Sequence, residues 1–369
     1  MTTDAIVVGG GIVGLSAARE LAGHGRRVIV VERHRVGEEA SAAAAGMLAP
    51  QLHVEARTPL LDLSLRARDR HLVLADELLA ETGISVELSA LGALDVAFTE
   101  EEERVLSARV SWQQGEGLPV ETLLDRDVRH VEPNVNPAVR AGAFFPGDRR
   151  VDNVRLVRAL AASAVARGVI LECGRPVTAL AVEDGRIAGV RLGADTLRAP
   201  VVLNAAGAWA GLLAGDPAPP PVEPVRGQIA AFVVAPPLLR HVVWSPRGYL
   251  VPRADGRLLA GSTVERAGFD KSVTAGGLRA VLEIALEIAP SLADVPIFDQ
   301  WAGLRPGTPD ENPILGPGAL AGLFHAAGLY RNGILLGPLV GEAVARLAIG
   351  LPPGVDLSPF AASRFGARA

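Results

Sequence analysis

Hydrophobic positions along this chain follow two patterns. In "DAIVVGGGIVGLSAARELAGHGRRVIVVER" (4–33) the apolar runs Ala5–Val8 and Val28–Val31 are unbroken by polar residues. Such runs predict strands of a parallel sheet buried on both faces. Between them the chain from Ile12 to about Gly23–Gly25 predicts a helix, with glycines supplying its stop. "APVVLNAAGAWA" (199–210) predicts a further buried strand running into small residues, and "LFHAAGLYRNGILLGPLVGEAVARL" (323–347) predicts strand, glycine-punctuated turn and helix. The second pattern is a hairpin. "YLVPRADGRLLAGS" reads as two strands joined around Asp255-Gly256. "GDPAPPPVEPV" (215–225) reads as a proline-rich crossing, unable to form helix or central strand. No internal repeat is present.

At 369 residues the chain is long for one core, so two lobes are expected. A formal charge of -5 excludes a nucleic-acid partner drawn by phosphate attraction. The longest charge block, "TEEEERV" (99–105), reads as a solvated helix start. The single cysteine, Cys173, placed before an expected strand, permits no intrachain disulfide and fits a reducing compartment. The N-terminus lacks a basic segment followed by an apolar one, and no apolar run reaches the roughly 18 residues of a membrane span. The best candidate span (333–350) is interrupted by Glu342 and Arg346, at the i,i+4 spacing of a soluble amphipathic helix. These readings predict a cytoplasmic protein. No His/Cys/Asp/Glu cluster has metal-ligand spacing, and His53 and Glu55, alternating on one short segment, read as structural.

Gly9, Gly11 and Gly14 form G-x-G-x-x-G in the strand–turn–helix context that dinucleotide binding requires. The first two glycines let the backbone turn and approach a pyrophosphate, and the third lets helix pack on strand. Glu32 follows the second strand, eighteen residues after Gly14, where a carboxylate accepts from ribose hydroxyls. The motif alone does not separate NAD from FAD. A nucleotide lobe built from the beginning, middle and end of the chain favours FAD. So does the helix after residue 332, whose N-terminal partial positive charge suits a flavin's pyrimidine oxygen.

The sequence resembles the FAD-dependent amine and amino-acid oxidases, the group of D-amino-acid oxidase and monomeric sarcosine oxidase. Within it the likeness is greatest to the glycine oxidases of thiamine biosynthesis. The resemblance covers nearly the whole chain and is carried by "VVGGGIVG" (7–14), "SAAAAGML" (41–48), "YLVPRADGRLLAGST" (249–263), "WAGLRPGTPDENPILG" (301–316) and "AAGLYRNGILL" (326–336). It implies an α/β fold, a Rossmann-like FAD-binding domain (1–80, 150–215 and 300–369) interleaved with an α+β substrate domain built on an antiparallel sheet (81–149 and 216–299). It implies non-covalent FAD, because the sarcosine oxidases' flavin-linking cysteine lies in a segment that here reads "LRPGT".

The resemblance also implies site residues. Arg305 of "GLRPGT" would hold the substrate carboxylate bidentately, as a guanidinium fork is shaped to do, and Tyr249 would add a second hydrogen bond. Arg331 would lie near flavin and substrate. The cofactor would contact Gly9, Gly11, Ile12, Val13, Gly14, Glu32, Arg33, Ala40, Ser41, Ala45, Gly46, Met47, Val177, Ala206, Gly207, Arg331, Asn332, Gly333, Ile334 and Leu335. The alanine-rich stretch 39–51 reads either as a plain helical run or as a close backbone approach over the flavin. Two positions depart from the glycine-oxidase pattern. Val264 replaces a larger methionine, and Arg247 stands where a histidine can occur, leaving room for an N-substituent or an added acidic group. The implied reaction is oxidation of glycine, sarcosine or D-alanine by molecular oxygen, with hand-off of the glycine imine to thiazole-forming machinery and a homo-oligomeric state. The alternatives are a D-amino-acid or sarcosine dehydrogenase with another electron acceptor, and a non-catalytic flavin subunit.

Overall fold

The unbroken apolar strands lie where burial on two faces puts them. The computed structural model describes residues 3–52 and 54–366. A six-stranded sheet has the order 314–317, 323–327, 201–204, 5–8, 28–32, 170–173, parallel except for its first, edge strand. Successive side chains of Ala5–Val8 point to opposite faces. Ala5 and Val7 join a core with helices Ile12–Gly23, Pro59–Thr82, Asn153–Ala166 and Gly333–Ala348, while Ile6 and Val8 pack under a three-stranded antiparallel sheet spanning 179–198.

The second sheet has eight strands in the order 297–307, 223–233, 257–261, 248–252, 242–245, 93–97, 141–145, 121–124. Its neighbours are antiparallel except 242–245 with 93–97. Alternation again decides what each residue does. Ala230, Phe232 and Leu250 face helix Ala275–Ile288, whereas Ile229, Ala231, Tyr249 and Val251 face the opposite way. That opposite face looks toward the first sheet, and the cleft between them is the site described below. The predicted hairpin forms, with Tyr249 opposite Gly261, and Thr99 and Glu102 cap the acidic helix Glu100–Gly115 reciprocally.

One expectation is corrected. The proline-rich crossing ends early, because Glu223–Val225 begin the long strand Glu223–Val233. Pro224 is tolerated because this end pairs only with the outer strand, where its partner is Pro306, and the inner strand joins from Ile229 onward. Cys173 itself ends the edge strand Ile170–Cys173, and the strand expected after it follows at Ala179–Glu183. Glu342 and Arg346 do lie on one helix, Gly333–Ala348, and the Glu342 carboxylate receives both arms of Arg70 at 2.8 Å from the long helix Pro59–Thr82. Among the described residues no helix is long and apolar enough to cross a membrane, and no cluster could hold a metal ion. His53 lies outside the described residues, and Glu55 is exposed.

Candidate functional site

The glycine turn is built by close approach. Gly9 has φ +106°, and a Cβ there would stand 2.4 Å from the Ala205 carbonyl oxygen. At Gly14 a Cβ would come within 1.9 Å of the Gly9 carbonyl oxygen, so the third glycine holds the turn against its helix. The Glu32 carboxylate accepts from the Gly10 amide at 2.8 Å and the His34 amide at 3.0 Å, which fixes it at the rim of the turn.

The alanine-rich stretch forms both structures considered for it. Ala40–Ala43 is a short helix, and the chain then turns at Gly46 (φ +74°) into a strand at Met47–Leu48. Alanines offer no side-chain handles, so the segment is held by its carbonyls. Asn153 donates to the carbonyls of Ser41 (2.7 Å) and Ala42 (3.0 Å), and the Trp301 indole donates to that of Ala43 at 3.0 Å. Arg253 anchors Asn153 in turn at 2.6 Å, and burial pulls its guanidinium down to about 10. Ser41 Oγ accepts from the Ile12 amide at 3.1 Å, tying the segment to the first helix of the glycine turn.

At one end of the cleft Arg33 lies over the Trp209 ring, 3.3 Å from its centroid, and Trp209 stacks on Phe269 at 5.2 Å. Glu39 binds both Arg33 and Lys271. Phe269 and Lys271 follow the second sheet's strand 257–261, so this end of the cleft is closed by a segment that leaves the second sheet. Further in, no side chain caps the N-terminus of helix Gly333–Ala348. Buried His71 is held between the carbonyls of Ile334 and Leu335, at 3.0 and 3.1 Å, and burial lowers its pKa to about 4. His71 is therefore neutral and donates from Nε2.

The opposite end belongs to the second sheet. Arg305 comes from strand 297–307 and Tyr249 from the hairpin, two strands joined through 223–233 and 257–261. Gly227 lies beneath the guanidinium, where a Cβ would come within 2.2 Å of Arg305 Nη1. Arg305 donates from Nη1 to the Thr263 carbonyl (3.2 Å) and from Nη2 to Ser262 Oγ (2.5 Å). Burial lowers its pKa, Tyr249 opposing this through charge and a hydrogen bond while the nearby charge of Arg331 adds to it. Trp244 packs on Tyr249, ring centroids 4.9 Å apart. The Arg331 guanidinium stands 5.2 Å from the Tyr330 ring. Beyond Tyr249 and Arg331 the cleft, about 380 Å³, meets an outer cavity of about 880 Å³.

The family model described as FAD dependent oxidoreductase matches residues 4–347. The chain belongs to the FAD-dependent oxidoreductase family. It is 37% identical over 366 residues to a protein named glycine oxidase from Geobacillus kaustophilus, covering 98% of this chain and 97% of that one. It is 36% identical to the bifunctional protein ThiO/ThiG of a Synechocystis species, matching 99% of this chain and 54% of that longer protein. The crystal structure of the G. kaustophilus glycine oxidase superposes with a TM-score of 0.93 at 35% identity, over 98% of this chain and 99% of the other.

The residues present fit the family's cofactor. Gly207 and Gly333 line the cleft with nothing within 4 Å of the place a Cβ would take, leaving room for a group to lie against backbone. Gly9, Gly11, Ile12, Val13, Glu32, Arg33, Ala40, Ser41, Ala45, Gly46, Met47, Val177, Ala206, Gly207, Gly333 and Ile334 all line that cleft, together with Tyr249, Arg305 and Arg331. Three expected positions do not. Gly14 lies behind the turn, and Asn332 and Leu335 face the outer cavity. Arg247 and exposed Val264 both line the outer cavity, and Arg247 also pairs there with Glu283 (3.2 Å) and Glu287 (3.0 Å). Sequence reading missed Trp209, Trp244, Ser262 and Gly227 as lining residues. Trp209 and Ser262 stand inside quoted motifs, "NAAGAWA" and "GST", and were within reach; Trp244 and Gly227 carried no signal.

Proposed function

We propose that this family member is an amino-acid oxidase of the glycine oxidase type, acting on glycine and small amines such as sarcosine and D-alanine. The observation that carries the reading is the half-buried Arg305 fork beside the Tyr249 phenol, at the junction of the cofactor cleft and the outer cavity. A guanidinium partly withdrawn from water favours a paired state, and among the described residues Arg305 meets no carboxylate. An α-carboxylate entering from the outer cavity completes it. Two parallel hydrogen bonds then fix both the position and the direction of the amine-bearing carbon, which is the contribution orientation makes to the rate.

FAD, when bound, supplies a two-electron acceptor that oxygen reoxidises with release of hydrogen peroxide. The remaining work belongs to the chain. The glycine turn, the carbonyl-anchored alanine segment and the uncapped helix at Gly333 would hold FAD without a covalent link; the one cysteine lies at the exposed end of an edge strand, away from the cleft lining. Acidic side chains lining the cleft, Glu32 and Glu39, lie at its far end with Arg33 and Trp209, and no histidine lines it among the described residues. Within the cleft the amine is accordingly oxidised in its free-base form without a side-chain base; Asp310 and Glu311 line only the outer cavity, where Arg364 holds Asp310. Glycine plus oxygen plus water gives glyoxylate, ammonia and hydrogen peroxide, through an imine that hydrolyses. The ThiO/ThiG relative supports hand-off of that imine to thiazole-forming machinery, and the proposal includes a cytoplasmic setting and a homo-oligomer. We assign the flavin lobe to 1–80, 150–215 and 300–369 and the substrate lobe to 81–149 and 216–299, with strand 297–307 spanning the boundary.

The test is peroxide release with glycine, sarcosine and D-alanine under air, followed by anaerobic bleaching of the flavin. Peroxide with glycine at least as fast as with the others supports the reading. Bleaching without peroxide moves the assignment to a dehydrogenase, and neither response to a non-catalytic flavin subunit.

A further inference from the structure

Resting on the amino-acid oxidase reading, the geometry points to Ser262 as a third direct ligand of the substrate carboxylate, beside Arg305 and Tyr249. Ser262 follows Gly261, the strand-end residue opposite Tyr249 in the hairpin. The Tyr249 ring lies so close there that a Cβ at Gly261 would stand 2.7 Å from the phenol oxygen. The next residue thereby follows a position packed on the phenol and reaches the guanidinium. Ser262 Oγ accepts from Arg305 Nη2 at 2.5 Å and lines both the cofactor cleft and the outer cavity. A hydroxyl has one donor and two acceptor sites. With an acceptor site filled by Arg305, its proton is left over, and among the described residues no acceptor takes it.

The same atom explains how the fork waits for substrate. One N–H of Nη1 is held by the Thr263 carbonyl and one of Nη2 by Ser262, both from the turn that leaves strand 257–261. A guanidinium has five N–H donors, so three remain for the phenol and for a carboxylate. A carboxylate oxygen seated on the Nη2 edge lies beside Ser262, and the spare hydroxyl proton points to it. The site is then read by a cation, a phenol and a hydroxyl, a set that rewards an anion with several lone pairs over a neutral amide.

The probe is acetate, a carboxylate without the amine, titrated into holoenzyme and read from the flavin spectrum. Ser262→Ala should weaken acetate about tenfold or more, the worth of one hydrogen bond to a charged group. It should raise KM for glycine by a similar factor with kcat within about twofold, and Ser262→Thr, which keeps the hydroxyl, should recover most of the loss. Flavin content and Tm of the variants report folding separately. A crystal of the acetate complex should place a carboxylate oxygen about 3 Å from Ser262 Oγ. Wild-type acetate affinity in Ser262→Ala, or acetate bound out of reach of Oγ, overturns the proposal and leaves the oxidase reading standing. A wild-type holoenzyme that neither binds acetate nor oxidises an amino acid overturns both.

Discussion

The two ends of the cleft are built by opposite means. At the nucleotide end the chain offers mostly backbone: a glycine turn, an alanine segment pinned by its carbonyls, and an uncapped helix start. At the substrate end it offers side chains, with Arg305, Tyr249 and Ser262 converging from separate parts of one sheet. A backbone surface is a property of a contiguous segment, because neighbouring residues set the conformation. A side-chain constellation is a property of strand order and alternation. The first tolerates no added atom, and the second tolerates no lost charge.

That contrast breaks first, and hardest, at Gly14. Gly14→Val puts carbon where only 1.9 Å separates the Cβ site from the Gly9 oxygen, so soluble protein should be scarce and colourless, checked by flavin absorbance per chain. A yellow, stable Gly14→Val protein would remove the claim that backbone packing builds this end. Next comes Arg305→Ala, which deletes the carboxylate's charge partner. About 3–5 kcal/mol is at stake when one member of a buried pair is lost, so acetate and glycine binding should fall about two to three orders of magnitude while flavin content stays near wild type. Loss of flavin together with substrate binding would mean that the two ends are not separable.

His71 tests the helix start that the nucleotide end relies on. Its folded pKa of about 4 lies below the ordinary 6.5, so between these values the unfolded chain binds the extra proton and stability falls as pH falls. The contribution is complete above pH 6.5 and is lost toward pH 4, at most about 3 kcal/mol. Buried Asp95, raised to about 6 by desolvation against the pull of Arg109, works in the opposite sense over this range. The comparison is therefore between wild type and His71→Gln by thermal melts from pH 7 to 4, the variant losing less. Parallel curves would show that His71 does not carry the acid sensitivity.

Smaller effects sharpen the contrast. Val264→Met narrows the outer cavity and should lower kcat/KM for sarcosine relative to glycine by up to about tenfold. Lys271→Ala removes one arm of a surface ion pair with Glu39, worth about 0–1 kcal/mol. FAD release should quicken by a few-fold in low salt, measured by flavin fluorescence after dilution, and by less in high salt as screening grows.

Legibility followed the same division. Gly9, Gly11, Glu32 and the strands around them could be read directly, because strand, turn and helix signals lie within thirty residues of sequence. Gly14 was read correctly for packing, yet it does not line the cleft. Arg247 and Ser262 show what local reading misses. Arg247 lines the outer cavity as expected, but its pairing with Glu283 and Glu287 was hidden because they lie far along the chain on helix Ala275–Ile288. Ser262 looked like the tail of a hairpin because its partner, Arg305, lies 43 residues later. Pro224 failed for a related reason: proline excludes a central strand only where both neighbours are present, and pairing extent is not written locally.

By itself the sequence determined the nucleotide turn, the hairpin, the helix start at Gly333 and the odd placement of a guanidinium at Arg305. These follow from φ/ψ limits, side-chain period and the cost of burying charge, all of which act over a few residues. Only the tertiary structure decided which face of the eight-stranded sheet meets the cofactor cleft, which arginines are already paired, and that a hydroxyl stands against the fork. Those are matters of register between strands far apart in the chain, where a shift of one residue would turn Tyr249 and Arg305 away from the cleft.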